Sequence, residues 1–434
     1  MNFASLKDAL NRLKTIRISR SPIAPQAAIA AFFAILGAAV AIAAWGADRS
    51  PAMAVALPLL WIMAPTRLAA FTLTTAYHLS VVRFLPEFAS TWFNSNPIGV
   101  LIWLSMGGLC GLAWAVCWPR SSSTPRVTIA TAAVLLLTLA TPVAAVLPGH
   151  PLVGWGFLWP KSGWVGVATM FAASIAGAWA LRVWIPAQWP GQRWISPVAL
   201  FLALAIPAFV GIQPGGDAGK VAGKVGAVST RFGGPPPTYS LEVMLRVEKI
   251  ANATAKLAGG DDGLDTVIYP ESIIGQYVPS LYPALEASIF RRSRPAGQTV
   301  ILGADLELAR GQWQNVALIF RPDGSSSYIS SRQTPPGAMW TPWSSVRHYP
   351  ANWFTDNTVN IGGGVRARIM FCYEEYMPIL SLIDEAAYDH NMVVAISNLW
   401  ATKDPLSSFV QGAHTQGMAL LFGRRWVRAV NYPK

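Results

Sequence analysis

A series of apolar runs almost free of charge in the first 212 residues constrains this chain more than anything else in it. They lie near residues 27 to 45, 98 to 118, 127 to 147, 164 to 184 and 196 to 212. Each is about 17 to 21 residues long, enough for a helix to cross ~30 Å of hydrocarbon. A shorter run covers about 52 to 66, and the segment at 70 to 85 is apolar but contains His78 and Arg83. Composition agrees: 53% of residues are hydrophobic and only 12% charged, against about 25% charged in soluble domains.

Flanking charges give an expected topology, because Lys and Arg collect in short cytoplasmic loops. Lys7, Arg12, Lys14, Arg17 and Arg20 place the N-terminus inside. If residues 70 to 85 span, Arg67, Arg120, Arg126, Arg182 and Arg193 are all cytoplasmic, and the opposite loops carry Asp48, Arg49, Glu87 and Lys161. Six spans would put Arg120 and Arg126 outside. About seven are therefore expected, with everything after residue 213 on the outer face. This accounts for the net charge of +12 without nucleic acid, and no direct nucleic-acid binding is expected.

Within the first 24 residues, Phe3, Leu6, Leu10 and Leu13 share one helical face among basic residues, as in an amphipathic helix on anionic membrane lipid. Trp45, Trp92, Trp118, Trp155, Trp159, Trp184 and Trp194 fall near span ends as an aromatic belt. Cys110 and Cys117 lie in one span and read as packing residues. The three cysteines offer no zinc spacing, so neither metal nor cofactor is expected. The clearest spans hold no ionisable residue at mid-membrane, which argues against a transporter.

The domain reading is a cytoplasmic basic segment at 1 to 24, a transmembrane domain at 25 to 212, a Gly-rich linker at 213 to 220, and a second domain at 221 to 434. In the last, strands at 225 to 230, 266 to 269, 299 to 303, 315 to 320, 367 to 371 and 392 to 396 alternate with helices at 239 to 257, 281 to 289, 379 to 389 and 414 to 422. That order predicts an α/β sandwich with helices covering its sheets.

Two of these strands end in reactive side chains: Val267-Ile-Tyr-Pro-Glu271-Ser and Ile369-Met-Phe-Cys372-Tyr-Glu374. A thiol with a free pKa of about 8.5 needs a base or a positive charge to attack a carbonyl. Glu271 is the candidate base for Cys372. Glu374 reads either as a support for the site or as a surface carboxylate, Ser397 and Asn398 as residues that shape the loop, and His414 as structural.

Those two segments, with Ile301-Leu-Gly-Ala, Gln314-Asn-Val-Ala, Arg321-Pro-Asp-Gly324, Tyr328 and Ile396-Ser-Asn-Leu-Trp400, resemble in order the landmarks of the nitrilase (carbon-nitrogen hydrolase) superfamily. His414, Gln416, Met418 and the stretch from Arg424 to Asn431 extend the likeness. A polytopic N-terminal half resembles the apolipoprotein N-acyltransferase branch and, within it, the TraB-type conjugal transfer proteins. The resemblance implies an αββα sandwich in which Glu271 deprotonates Cys372 and a thioester forms on an amide or acyl substrate, as in an amidase or N-acyltransferase. Tyr328, Glu374 and Asn398 would support the site. It further implies an inner-membrane location with a periplasmic C-terminal domain, a phospholipid or lipoprotein acyl donor, and conjugation proteins as partners.

The family's oxyanion lysine falls at Ser330 and its second glutamate at Ala338, which leaves Arg332 as the expected oxyanion donor. The alternative implied is a catalytically degenerate domain serving as a scaffold of the conjugation apparatus. The family pattern also carries further strands and a last transmembrane helix beyond the point where this sequence ends.

Overall fold

The computed structural model describes residues 23–46, 49–139, 148–184, 224–258, 263–293 and 296–434. The amphipathic segment, the run at 196 to 212 and the linker at 213 to 220 lie outside these residues. Helices α1 (Ile23–Trp45), α2 (Ala56–Met63), α3 (Arg67–Val81), α4 (Leu85–Phe93), α5 (Asn96–Cys117), α6 (Thr124–Leu137), α7 (Pro151–Leu158) and α8 (Gly163–Trp179) form the N-terminal region. Three described stretches, Gln26–Trp45, Asn96–Cys117 and Gly163–Val183, are long and apolar enough to cross a membrane. α3 and α4 pass that test only together and are bent by 63°. Pro86 lies in the first turn of α4, where its missing N–H tolerates a helix start but not the continuation of α3.

Small residues let these helices approach closely. A Cβ on Gly37 of α1 would meet the Leu73 carbonyl oxygen of α3 at 2.0 Å, and one on Gly111 of α5 would meet Thr75 Oγ1 at 1.9 Å. Ile35, Leu101, Leu109, Val116 and Val165 point outward and are exposed. That is the apolar exterior a helix presents to lipid.

The C-terminal region contains two mixed sheets. The first has the order β1 (Val225–Ala227), β2 (Thr266–Ile268), β3 (Thr299–Ala309), β4 (Gln312–Phe320), β5 (Ser326–Ser330), parallel across β1 to β3 and antiparallel beyond. The second runs β6 (Thr358–Asn360), β7 (Arg366–Phe371), β8 (Met392–Asn398), β9 (Arg425–Asn431), parallel from β7 to β9. Ile268, Ile301 and Ile319 of one sheet meet Ile369, Phe371, Val394 and Ile396 of the other in a dry layer. The opposite face of the first sheet is covered by α9 (Leu241–Lys256) through Val243, Val247 and Ile250. The second is covered by α10 (Pro378–Ala387) and α11 (Pro405–Phe422). Helix, sheet, sheet and helix form the expected sandwich.

α11 starts nine residues earlier than the periodicity predicts, because Asp404 caps it, accepting from Leu406 N at 2.9 Å, and Pro405 occupies its first position. The extra turns matter, since α11 also packs on the N-terminal helices. His414 stacks on Trp45, with ring centroids 4.7 Å apart, and accepts from Gly149 N at 2.7 Å. It is wholly buried, and burial lowers its pKa to about 4, so the ring is neutral. Further along, a Cβ on Gly156 of α7 would meet the Gly417 carbonyl oxygen at 1.9 Å, and one on Gly417 would meet Val153 O at 2.5 Å. Gly417→Leu is therefore expected to separate the two regions. In isolated membranes, limited proteolysis should release the C-terminal domain from this variant under conditions that leave the parent intact.

Candidate active site

Each reactive side chain is delivered by the end of a buried parallel strand. β2 stops at Ile268, and Tyr269-Pro270 carries the chain to Glu271. Ser272 then takes a left-handed φ of 48°. The turn lies directly on β3, where a Cβ on Gly303 would meet Pro270 O at 2.3 Å and Glu271 Cα at 2.5 Å, so only glycine fits. β7 stops at Phe371, and Cys372 opens a single 3₁₀ turn, Cys372–Tyr376.

Both side chains face one cavity of about 780 Å³, lined also by Ser272, Asp305, Asn315, Ala338, Arg347, Tyr349 and Asn398. Asn315 Nδ2 donates to Glu271 Oε1, and Glu271 faces the Cys372 thiol closely enough for each to shift the other's pKa. Cys372 also lines a second, apolar cavity of about 200 Å³, bounded by Phe84, Leu85, Phe93, Ile102 and Met106 of the N-terminal region. Phe88 and Trp92 of α4 line both. The thiol sits where a polar chamber meets an apolar one.

Burial raises the pKa of Glu271 to about 8, helped by the charge of Asp305, while Cys372 and Asn315 pull the other way. Asp305 itself is raised to about 6, again by burial. Burial and then the charge of Glu271 push the Cys372 thiol well above its ordinary range, against donors from Gln411 and the Asn398 backbone N–H. Near neutral pH the pair is thus a carboxylic acid beside a thiol. Its basic form appears as pH rises through about 8.

The turn that holds Cys372 is anchored by two buried carboxylates. Glu374 accepts from Phe371 N at 3.1 Å, Ser331 Oγ at 2.9 Å, Gln333 N at 3.0 Å and Arg332 N, tying the end of β7 to residues 331–333. Glu375 accepts from Thr415 Oγ1 at 2.6 Å, Arg428 Nε at 2.8 Å and Ser397 Oγ, tying it to α11, β9 and β8. Asn398 Oδ1 accepts from Asn431 Nδ2 at 2.8 Å, which fixes the loop after β8.

No protein-family model matches the chain. A probable conjugal transfer protein TraB from Sinorhizobium fredii is 27% identical over 392 residues, 87% of this chain and 92% of the relative. The conjugal transfer protein TraB of Agrobacterium fabrum is 24% identical over 423 residues, 92% of each. The chain is a distant homologue of the TraB conjugal transfer proteins. Among solved structures, an amidase from Nesterenkonia aligns with 47% of this chain and 73% of its own, at 17% identity and a TM-score of 0.35. A carbon-nitrogen hydrolase from Helicobacter pylori aligns with 47% and 72%, at 14% identity and a TM-score of 0.36.

The fold brings Glu271, Cys372 and Asn398 to one cavity but not the other expected residues. Arg332 is a correction: its Nη1 and Nη2 donate to Asp384 Oδ1 and Oδ2 at 2.6 and 2.8 Å, it is 1% exposed, and it lines neither cavity. Asp384 also pairs with Arg368 Nη1 at 3.2 Å, so two guanidinium groups share one buried carboxylate of α10. A bidentate partner already in place outcompetes a reach toward the thiol. Tyr328 is a second correction, since it stands 48% exposed on the edge strand β5 and lines neither cavity. Ser330 is absent from both, whereas Ala338 lines both.

Asn315 and Asp305 escaped assignment because polar residues on strands read as solvent-facing. The packing of β3 and β4 buries them instead. Gln411 left no motif, and Arg428 stood out only as part of the stretch from Arg424 to Asn431; Gln411 meets Cys372, and Arg428 meets Gln411, only through the docking of α11 on β9.

Three outcomes follow. Asp384→Ala leaves two buried cations unpaired and should cost about 3–5 kcal/mol, read as a lowered thermal midpoint of the detergent-solubilised protein. Alkylation of Cys372 by iodoacetamide, followed by peptide mass spectrometry, should accelerate as pH rises through about 8. In Glu271→Gln that inflection should vanish. Because the Glu271 pKa rises on folding, its contribution to stability is full below the unfolded value near 4.5 and is lost as pH climbs through about 8. The same variant should therefore resist alkaline unfolding better than the parent.

Proposed function

We propose that this chain is a multi-pass membrane protein acting in plasmid conjugal transfer, and that Cys372 performs acyl chemistry on an amide or acyl substrate there. The homology to TraB proteins supports the setting. The chemistry rests on one observation: Cys372 stands beside Glu271 in the polar cavity and also lines the apolar cavity shared with the membrane helices. Glu271, as carboxylate, takes the thiol proton, and Sγ attacks the carbonyl carbon. The C–N or C–O bond breaks, the leaving amine or alcohol takes the proton from Glu271, and a thioester remains. Water or an amine then resolves it.

The apolar cavity accommodates hydrocarbon, which favours a phospholipid or lipoprotein acyl donor. The placement of basic residues favours a periplasmic C-terminal domain, and the homology to TraB proteins favours conjugation proteins as partners. A second reading, a scaffold, is favoured by Ala338, which offers only a methyl group at the position expected for the second glutamate.

Plasmid transfer frequency distinguishes the readings. In a deletion strain, Cys372→Ala at matched membrane abundance is expected to transfer at least about tenfold less often than the parent, because a positioned nucleophile has no substitute. Equal rescue by both would make the domain a scaffold. Unchanged transfer in the deletion strain would remove the conjugation assignment.

A further inference from the structure

The resemblance calls for a cation at the nucleophile, and neither Ser330 nor Arg332 provides one. Another donor is already on the thiol. Gln411, wholly buried on α11, places Nε2 3.4 Å from Cys372 Sγ and also donates to the Cys372 carbonyl oxygen. The amide cannot be turned over. Its Oε1 accepts from Arg428 Nη2 at 2.7 Å, and reversal would set an NH₂ group against a guanidinium that has only donors.

Arg428 is itself immobilised. Its Nε donates to Glu375 Oε2 at 2.8 Å, and Nη1 donates to Ser408 O at 3.1 Å and Ser408 Oγ at 3.0 Å. Glu375 belongs to the same 3₁₀ turn as Cys372. The ring of contacts therefore runs from the turn to β9, through α11, and back to the sulfur.

We propose that Gln411 is a catalytic residue that stabilises the Cys372 thiolate, and that Arg428 is the positioning residue that orients it. Together they relay a cation's influence through a neutral amide in place of a lysine. The Asn398 backbone N–H supplies a companion donor to the sulfur. A carboxamide polarised by a guanidinium at its oxygen is a stronger N–H donor than an isolated one. Stabilising the thiolate makes proton transfer from sulfur to Glu271 less uphill. This rests on the thiol reading of Cys372 above, but its test needs no substrate.

The test is the pH–rate profile of iodoacetamide alkylation, read at the Cys372 peptide in the full chain in native membranes. Gln411→Met, similar in volume but without donors, should raise the apparent pKa of the thiol by about one unit and slow alkylation at pH 8 about tenfold. Arg428→Lys retains the charge opposite Glu375 but lacks the fork that holds Gln411. It should shift the profile the same way by a smaller amount. A profile identical to the parent in Gln411→Met overturns the proposal. If that variant fails to accumulate, an unshifted profile in Arg428→Lys overturns it. Should Cys372→Ala sustain normal transfer while Gln411→Met still slows alkylation, the functional reading falls and the donor assignment stands. If Cys372→Ala abolishes transfer and neither variant shifts the profile, the reverse holds.

Discussion

Everything that places Cys372 depends on one helix serving two partners. α11 lies on β8 and β9 with one face and against the N-terminal helices with another. Its inner face carries Gln411 and Thr415 to the Cys372 turn. Its outer face carries His414 to Trp45 and Gly417 to Gly156. Trp45 Nε1 donates to Tyr77 OH at 2.8 Å, and that hydroxyl donates to Gly149 O at 2.7 Å, so the contact continues into α3 and the segment before α7. A neutral His414 suits this place because a buried cation there would have no carboxylate to pair with among its contacts. Close backbone contact at the glycines fixes the depth at which the domain sits. With the domain so placed, Phe88 and Trp92 stand in the walls of both cavities that Cys372 lines.

Behind the thiol, charge is buried on purpose and arranged in pieces. Glu374 is satisfied by backbone N–H groups, Glu375 by a guanidinium and two hydroxyls, and Asp384 by two arginines. Each removes a degree of freedom from the 3₁₀ turn or from the segment that follows β5. Glu271, by contrast, has Asn315 and the thiol and no cation. That difference makes it a group poised near neutral pH while the others act as struts. The cavity-lining cation Arg347 is occupied with Tyr349 OH at 2.6 Å and lies over Trp313 at 4.3 Å.

The parts legible in the sequence were those with a local cause. Apolar runs almost free of charge gave helices of the expected length at 26–45, 96–117 and 163–183, and strands ending in Glu271 and Cys372 stood out because apolar residues stop abruptly at a reactive one. β5, Ser-Ser-Tyr-Ile-Ser, escaped notice because an edge strand needs no apolar face. β9, Arg-Trp-Val-Arg-Ala-Val-Asn, shows no strict alternation, and Arg428 is tolerated there only because Glu375 and Gln411 receive it. Asp404-Pro405 did carry a cap signature that would have placed the start of α11 correctly. The misassignment of Arg332 has a different origin. Its partner Asp384 lies 52 residues away, and nothing local to either announces the pairing.

By itself, then, the sequence determined that a chain of apolar helices precedes an α/β domain, and that one glutamate and one cysteine end neighbouring layers of it. Both follow from short-range rules: hydrocarbon thickness, strand periodicity and turn chemistry. Which polar groups converge on the sulfur was decided only by tertiary structure. Arg332, Gln411 and Arg428 are all long side chains whose direction depends on the nearest buried partner. Those partners come from elements that meet only when two sheets and the N-terminal helices close around α11.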